Sequence, residues 1–211
     1  MRRTAEGRST TLVRRDDGVM LELPSYAPVH RLPHDLAHFV VERTLGLSWG
    51  FWGSIAAGAV FGGVEVLPRK RTARVKERSR QVMKGASSRV TEAEAVVGSV
   101  VEIYQRRLDR DRAAARALLS GTWRPTHPSR ELPTQAEVRR VCQELSDAEN
   151  RWLGMAIGSS VTLIWPRREA TSPRHKARST RRRRTSAFSR RALTRAADGD
   201  RYPYKEGGRT S

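Results

Sequence analysis

Two histidines and a glutamate recur at four-residue intervals in the segment PHDLAHFVVE, at positions His34, His38 and Glu42. Residues four apart share one face of a helix, so a helix here would present two imidazoles and one carboxylate to a single ion. Imidazole nitrogen and carboxylate oxygen are ligands of Zn²⁺ and related divalent ions. The spacing therefore predicts a divalent metal site at His34, His38 and Glu42.

A purely structural role accounts for the same residues. Asp35 near the start of a helix interacts favourably with the positive end of the helix dipole. His34 and His38 would then flank an apolar stripe as partly buried, hydrogen-bonded side chains. The metal site and the structural role both stay open at this point.

The five residues His34 to His38 are similar to the H-E-x-x-H helix of zinc metalloproteases. In that family the two histidines bind zinc and the glutamate activates the attacking water. This chain departs from the pattern because Asp35, one methylene shorter, stands where the family has glutamate. The resemblance implies an alternative function, a metal-dependent hydrolase with Asp35 or Glu42 as the base.

Other catalytic patterns are absent from the sequence. It contains no Gly-x-Ser-x-Gly elbow, no Gly-x-Gly-x-x-Gly fingerprint and no phosphate-binding loop ending in Gly-Lys-Ser/Thr. Cys142, the single cysteine, lies on an apolar helical stripe, where a thiol packs rather than reacts. We therefore predict no catalytic residue, and no cofactor apart from a divalent metal under the alternative.

Charge favours a different function. The chain has 41 Lys and Arg against 22 Asp and Glu, a net charge of +19, and residues 167–211 alone hold 15 basic and 4 acidic side chains. Such an excess attracts polyanions with little sequence preference. Our leading prediction is a non-enzymatic basic protein that binds nucleic acid or another polyanion. The predicted contacts are Arg69, Lys70, Arg71, Arg181, Arg182, Arg183 and Arg184. The arginine-rich end could equally be a solvated extension without a partner.

One uncharged stretch, Leu45 to Val64, has the 20 residues that a membrane-spanning helix needs. Six glycines dilute its hydrophobicity, which favours a buried helix in a soluble protein. A membrane-associated interaction protein is kept as a further alternative. The N-terminal segment has no apolar run of signal-peptide length, so we expect a cytoplasmic protein.

The elements that would position these residues form a mixed α+β fold with about four helices. We predict a disordered segment at residues 1–9, one domain at 10–165 and a disordered arginine-rich tail at 166–211. Turn, capping and periodicity signals predict a hairpin over Thr11 to Leu23, helices from Pro33 to Thr44, from Phe51 to Val60, from Thr91 towards Leu119 and from Thr134 to Gly154, and a late strand over Val161 to Trp165. The basic segment Arg69 to Arg80 is predicted to be an exposed helix or a linker. The segment Trp123 to Pro133 is predicted to be an ordered loop.

Overall fold

A four-stranded antiparallel sheet and five helices make up the described part of the chain. The computed structural model describes residues 1–5, 8–24, 31–68, 72–126 and 131–166. In chain order the elements are β1 (Arg2–Arg3), β2 (Ser9–Arg14), β3 (Met20–Pro24), α1 (His34–Thr44), α2 (Phe51–Ala57), β4 (Glu65–Leu67), α3 (Ala73–Gln105), α4 (Arg112–Thr126) and α5 (Gln135–Leu153). The predicted α+β class is confirmed at this level.

All of these elements lie in one unit, Met1–Glu169. The predicted domain, residues 10–165, falls inside that unit. The predicted tail, residues 166–211, lies outside the described residues except for Pro166. The same holds for residues 69–71 within the basic segment.

The predicted hairpin is confirmed as β2 paired with β3, in the register Thr11↔Leu23 to Arg14↔Met20. Its turn depends on Gly18, whose φ of 79° is readily adopted only without a Cβ. The sheet continues on both sides of the hairpin, in the order β1-β2-β3-β4. The sequence pattern missed β1 and β4 because strands of two and three residues are too short to show an alternation.

The two ends of the unit meet beside β1. Residues 1–9 are predicted to be disordered, but Met1 is buried and Arg2–Arg3 pair with Ser9 and Thr10. The predicted late strand is wrong, since only an isolated bridge joins Ser160 to Arg2. Met1 and Val161 exchange two hydrogen bonds, of 2.8 and 2.9 Å. Beyond them the chain is held by ring packing of Trp165 on Phe39, at 5.6 Å, and not by a strand ladder.

Helix α1 is confirmed, and it lies between two apolar clusters. Leu36, Val40 and Val41 pack in the cluster formed with α3, α4 and α5, whereas Phe39 packs in the cluster formed with α2 and the sheet. Every residue from Leu36 to Glu42 is buried. A helix buried on all sides normally carries few polar groups, so the buried His38 and Glu42 require a specific reason.

Helix α2 follows after a tight turn and is shorter than predicted, ending at Ala57 rather than Val60. Two glycines of this segment have a structural reason. A Cβ on Gly53 would overlap the Ser48 carbonyl oxygen, and Gly58 has a φ of 125°, which residues with a side chain rarely adopt.

Among the described residues, no helix combines the length and apolar character needed to cross a bilayer.

The predicted helix start at Thr91 is wrong. Helix α3 begins at Ala73, where the Thr72 hydroxyl accepts the Val75 N–H, and it continues without a break to Gln105. The Thr91-x-x-Glu94 pattern lies inside it because no proline interrupts the preceding turns. The basic segment is therefore helical from Ala73 onwards.

The apolar stripe predicted to reach Leu119 belongs to two helices. The chain leaves α3 at Arg106, and Arg107 has a positive φ of 56°. Helix α4 then begins at Arg112 and runs to Thr126, so the expected loop from Trp123 is helical at its start and Trp123 is a core residue. Helix α5 begins as predicted, with the complete capping box of Thr134 and Glu137, and ends at Leu153.

Gly85 provides a test of the continuous α3 helix. It lies mid-helix, and no atom is found within 4 Å of the position that a Cβ would take there, so Gly85→Ala adds helix propensity without a clash. We expect the free energy of unfolding, measured by urea denaturation, to rise by about 0.5 to 1 kcal/mol. Gly18→Ala, at positive φ, is the opposing control and should lower it by about 1 kcal/mol or more. A Gly85→Ala variant with unchanged stability would contradict a helix that extends through residue 85.

Candidate metal centre

His34 and His38 lie one turn apart on α1 and present their rings on the same side. The ring centroids are 4.5 Å apart, and the planes are tilted by 49°. His34 is the first residue of the helix, and its side chain is 69% exposed, whereas that of His38 is 2% exposed. The pair therefore has one ring at the surface and one ring fixed inside the protein.

The third member of the cluster is Glu94, on α3. Its Oε2 atom lies 3.0 Å from Nε2 of His38 and 3.5 Å from Nε2 of His34. One ligand atom from each of the three residues lies within 4.8 Å of the other two. Both Nε2 atoms therefore point to one carboxylate oxygen, and this oxygen is supplied by a different helix.

Sequence reasoning missed Glu94 as a partner of the histidines. It is 56 residues from His38, and its position in the Thr91-x-x-Glu94 pattern was interpreted as part of a helix cap. One signal was present in the sequence: an acidic residue at 94 falls within about 60° of the apolar positions Val90 and Val97 on a helix. An acid beside an apolar stripe needs a partner when the stripe is buried.

Glu42 lies on the opposite edge of His38, away from Glu94. Its Oε1 atom is 3.0 Å from His38 Nδ1, and its two oxygens accept the N–H groups of Phe51 and Trp52 at 3.0 and 2.9 Å. The side chain is fully buried. Of the predicted set, His34 and His38 are thus brought together, whereas Glu42 contacts the far nitrogen of His38 and the start of α2.

Gly50 is the residue that makes this arrangement of Glu42 sterically feasible. A Cβ at position 50 would lie 2.5 Å from the Glu42 carboxyl carbon, too close for any side chain. Gly50 is also the residue immediately before α2. The carboxylate therefore lies against the N–H groups of the first helical turn, which have no acceptor within the helix. A negative group at this end of a helix interacts favourably with the helix dipole.

Asp35 lies beside Nδ1 of His34 as Glu42 lies beside Nδ1 of His38, but at a longer distance. Its Oδ1 atom lies 3.9 Å from Nδ1 of His34, on the ring edge away from Glu94. The Asp35 backbone carbonyl accepts the Trp52 indole N–H at 3.0 Å, which ties the first turn of α1 to α2. Each histidine therefore has a carboxylate near Nδ1 and Glu94 near Nε2.

The histidines and the carboxylates of the cluster stabilise each other's charged forms. Contacts with Asp35 and then Glu94 raise the pKa of His34 to about 10. Burial alone would lower the pKa of His38, but its hydrogen bonds to Glu42 and Glu94 outweigh burial and raise it. The two histidines in turn lower the pKa of Glu94. Without a bound cation, the contacts with the carboxylates therefore favour the protonated form of both imidazoles.

The predicted polyanion contacts lie outside this geometry. Arg69, Lys70 and Arg71, and the four arginines at 181–184, are not among the described residues. Their contribution to binding remains a prediction from the sequence.

The buried carboxylate gives a testable expectation for stability. Glu42→Gln keeps the shape of the side chain but turns one accepting oxygen into an NH₂ group that faces an N–H donor. We expect the free energy of unfolding to fall by about 2 to 3 kcal/mol, the cost of unmatched buried polar groups. Glu102→Gln on α3, where the side chain is 46% exposed, is the matched control and should change it by less than about 0.5 kcal/mol. Equal effects of the two substitutions in urea denaturation would contradict the structural role of Glu42.

Comparison with known proteins assigns no relative to this arrangement. No protein-family model matches the chain, and neither a curated protein nor a solved structure matches it significantly. Any functional conclusion therefore depends on the geometry and chemistry of the site itself.

Proposed function

We propose that the protein binds one divalent metal ion, with zinc preferred, through His34, His38 and Glu94, and that it is a metal-dependent hydrolase. One observation carries the proposal: two imidazole Nε2 atoms meet a single carboxylate oxygen, and each imidazole has another carboxylate at its far nitrogen. Two nitrogens and one oxygen form the ligand set of many catalytic zinc sites.

The distances support this ligand set. Zinc binds nitrogen and carboxylate oxygen at about 2.0 to 2.2 Å, which places two ligand atoms of a tetrahedral site about 3.4 Å apart. The two nitrogen-to-oxygen distances, 3.0 and 3.5 Å, lie on either side of that value. All three ligand atoms lie within 4.8 Å of one another.

The carboxylates behind the histidines favour the same interpretation. A metal-binding histidine usually donates its second N–H to a carboxylate or a carbonyl, which fixes the ring and makes the ligand nitrogen more basic. Glu42 occupies this place behind His38 at 3.0 Å, whereas Asp35 lies 3.9 Å from His34 Nδ1, beyond hydrogen-bond distance. The hydrogen-bonded carboxylate behind His38 is more specific than histidine spacing alone.

The exposure of the cluster favours catalysis over a purely structural ion. His34 and Glu94 are 69% and 45% exposed, so an ion held by three protein ligands would keep a position open to water. Zinc lowers the pKa of a bound water to about 7, which supplies hydroxide near neutral pH without a separate base. Asp35 and Glu42, the two bases suggested by the H-E-x-x-H resemblance, lie near the Nδ1 edges and are better placed to hold the ligands.

Polyanion binding, the leading prediction from the sequence, stays a second proposal. The described residues favour it through the exposed basic residues in the first half of α3, among them Lys76, Arg80 and Lys84. These residues are considered below together with the metal site.

Metal content tests the proposal directly. We expect purified protein to bind about one Zn²⁺ per chain. Glu94→Gln should weaken binding by at least about 10- to 100-fold, because loss of even an outer carboxylate has that effect. The matched control is Glu92→Gln, two residues along the same helix, which removes the same charge outside the cluster and should leave affinity within about twofold. Elemental analysis and competition with a chromogenic chelator provide the measurement. Unchanged zinc affinity in a His34→Ala, His38→Ala double variant would reject the site.

Zinc affinity should also depend on pH in a defined direction. The pKa of His34, raised to about 10, means that this imidazole carries a proton at pH 7 in the metal-free protein, and the raised pKa of His38 favours a proton on that ring as well. These protons must leave before nitrogen binds the ion. Affinity should therefore rise between pH 6 and 9, by about tenfold per pH unit for each proton released. Calorimetry in two buffers of different ionisation enthalpy counts the protons, and a constant affinity over this range would contradict the ligand assignment.

A further inference from the structure

The first half of α3 carries a dense set of exposed cations. Between Ala73 and Arg89 the helix has one acidic residue, Glu77, against six basic ones. The six basic residues are all exposed: Arg74, Lys76, Arg78, Arg80, Lys84 and Arg89. Within this half of α3, the side chains therefore build a strongly electropositive surface.

The spacing of these cations does not stabilise helix α3. Lys76, Arg80 and Lys84 follow one another at four-residue intervals, and like charges at this spacing destabilise a helix. No acidic residue lies in the first turn, where it would be favourable, and the cations add to the positive end of the helix dipole. An arrangement that costs helix stability needs another explanation, such as an anionic partner.

Two of the six cations contact other residues in the part of the chain that the structure describes. Arg78 donates from Nε to the Ala57 carbonyl at 2.9 Å and lies against Gly58, so it joins α3 to the end of α2. Arg80 pairs with Glu77 one turn away, in an exposed ion pair that is worth little to stability. Arg80 is therefore able to exchange its partner, whereas Arg78 serves the fold.

The position of these cations relative to Glu94 suggests their use. At 100° per residue, Lys76, Arg80 and Lys84 lie about 0°, 40° and 80° around the helix from Glu94, and about 27, 21 and 15 Å from it along the axis. We call these three residues the basic track. The buried residues Ala86 and Ala93 lie in the opposite direction around the helix from Glu94. The track and Glu94 are therefore both on the exposed side of α3. Because α3 is continuous, the track and Glu94 lie on one helix, with Lys76 in line with Glu94 and Lys84 nearest to it along the axis.

We propose that the basic track binds the phosphodiester backbone of a nucleic acid and delivers it to His34, His38 and Glu94 as substrate. This inference rests on the proposed metal site. Basic side chains at regular intervals neutralise successive phosphates without reading bases, which suits a substrate of low sequence preference. The distance of about 27 Å from Lys76 to Glu94 corresponds to about eight nucleotides at about 3.4 Å each.

The reaction is hydrolysis, and water is the only co-reactant. The oxygen of a water at the metal cluster forms a bond to phosphorus, and the ester bond from phosphorus to one sugar oxygen breaks. One proton of the water ends on the departing sugar oxygen. The products are a phosphate monoester and an alcohol, with no change of oxidation state.

Charge reversal on the track tests the inference in the full-length protein. The triple variant Lys76→Glu, Arg80→Glu, Lys84→Glu alters exposed side chains and leaves the metal ligands intact. The matched control is Arg112→Glu, Arg116→Glu, Arg139→Glu, which makes the same change of charge at exposed positions of α4 and α5. Both variants retain residues 167–211, so the arginine-rich end contributes equally to each.

Binding is measured by fluorescence anisotropy with a labelled single strand of about 20 nucleotides, longer than the track. We expect the track variant to bind at least about tenfold more weakly, and the slope of log affinity against log salt to fall by about 2, since each phosphate contact to a single strand contributes about 0.7. The control variant should bind within about threefold of the unaltered protein. Equal weakening in both variants, or no weakening in the track variant, would overturn the inference.

Zinc binding and cleavage of the same strand separate this inference from the proposed function. The track variant should keep its zinc affinity and lose at least about tenfold in kcat/KM for cleavage, in proportion to its weaker binding. Zinc binding without any binding or cleavage of the strand overturns the nucleic-acid inference alone. Strand binding without zinc binding overturns the proposed function and the substrate assignment with it. Track-dependent binding to phosphatidylserine vesicles, with none to the strand, would assign the surface to a membrane and overturn the inference.

Discussion

The Glu42 carboxylate is enclosed by protein, and three nitrogen atoms converge on it. Two are the backbone N–H groups that begin α2, and the third is Nδ1 of His38. A buried carboxylate is tolerated only when its oxygens are bonded in this way. Because these three hydrogen bonds hold the carboxylate in the space left by the missing Cβ of Gly50, the constraint joins α1, α2 and the His38 ring. The placement of His38 Nε2 towards Glu94 follows from that arrangement.

The same constraint explains why a cluster of ionisable side chains exists on a deeply buried helix. Helix α1 has apolar packing on two sides, from the α3, α4 and α5 cluster and from the α2 and sheet cluster. Its first turn reaches the surface at His34, and its last turn does so at Arg43. Ligands on rigid, packed helices are held more accurately than ligands on loops. An ion at the cluster would therefore meet one fixed nitrogen, one adjustable nitrogen and a carboxylate from the neighbouring helix.

Local signals in the sequence predicted the local structure well. The Asp17-Gly18 turn, the helix from Pro33 and the capping box at Thr134 each depend on residues within a few positions, and each is present. The histidine spacing also placed His34 and His38 on one helical face. These predictions succeeded because turn geometry and helical periodicity are set by neighbours in the chain.

Features that depend on distant contacts were missed. Glu94 reaches the histidines only because α3 packs on α1, and nothing local distinguishes it from a capping residue. The Thr91 pattern failed as a helix start because the preceding turns are already helical, and VTLIW failed as a strand because ring packing replaces a ladder. Tertiary packing decided each of these cases, and no single segment carries that information.

X-ray absorption at the zinc edge of the zinc-loaded protein tests the assignment of His34, His38 and Glu94 as ligands. We expect a first shell of nitrogen and oxygen only, at about 2.0 to 2.1 Å, with the outer-shell scattering of two imidazoles. Sulfur at about 2.3 Å, which would point to Cys142, would contradict it. So would a shell of oxygen alone without imidazole scattering, since the ion would then lie away from His34 and His38.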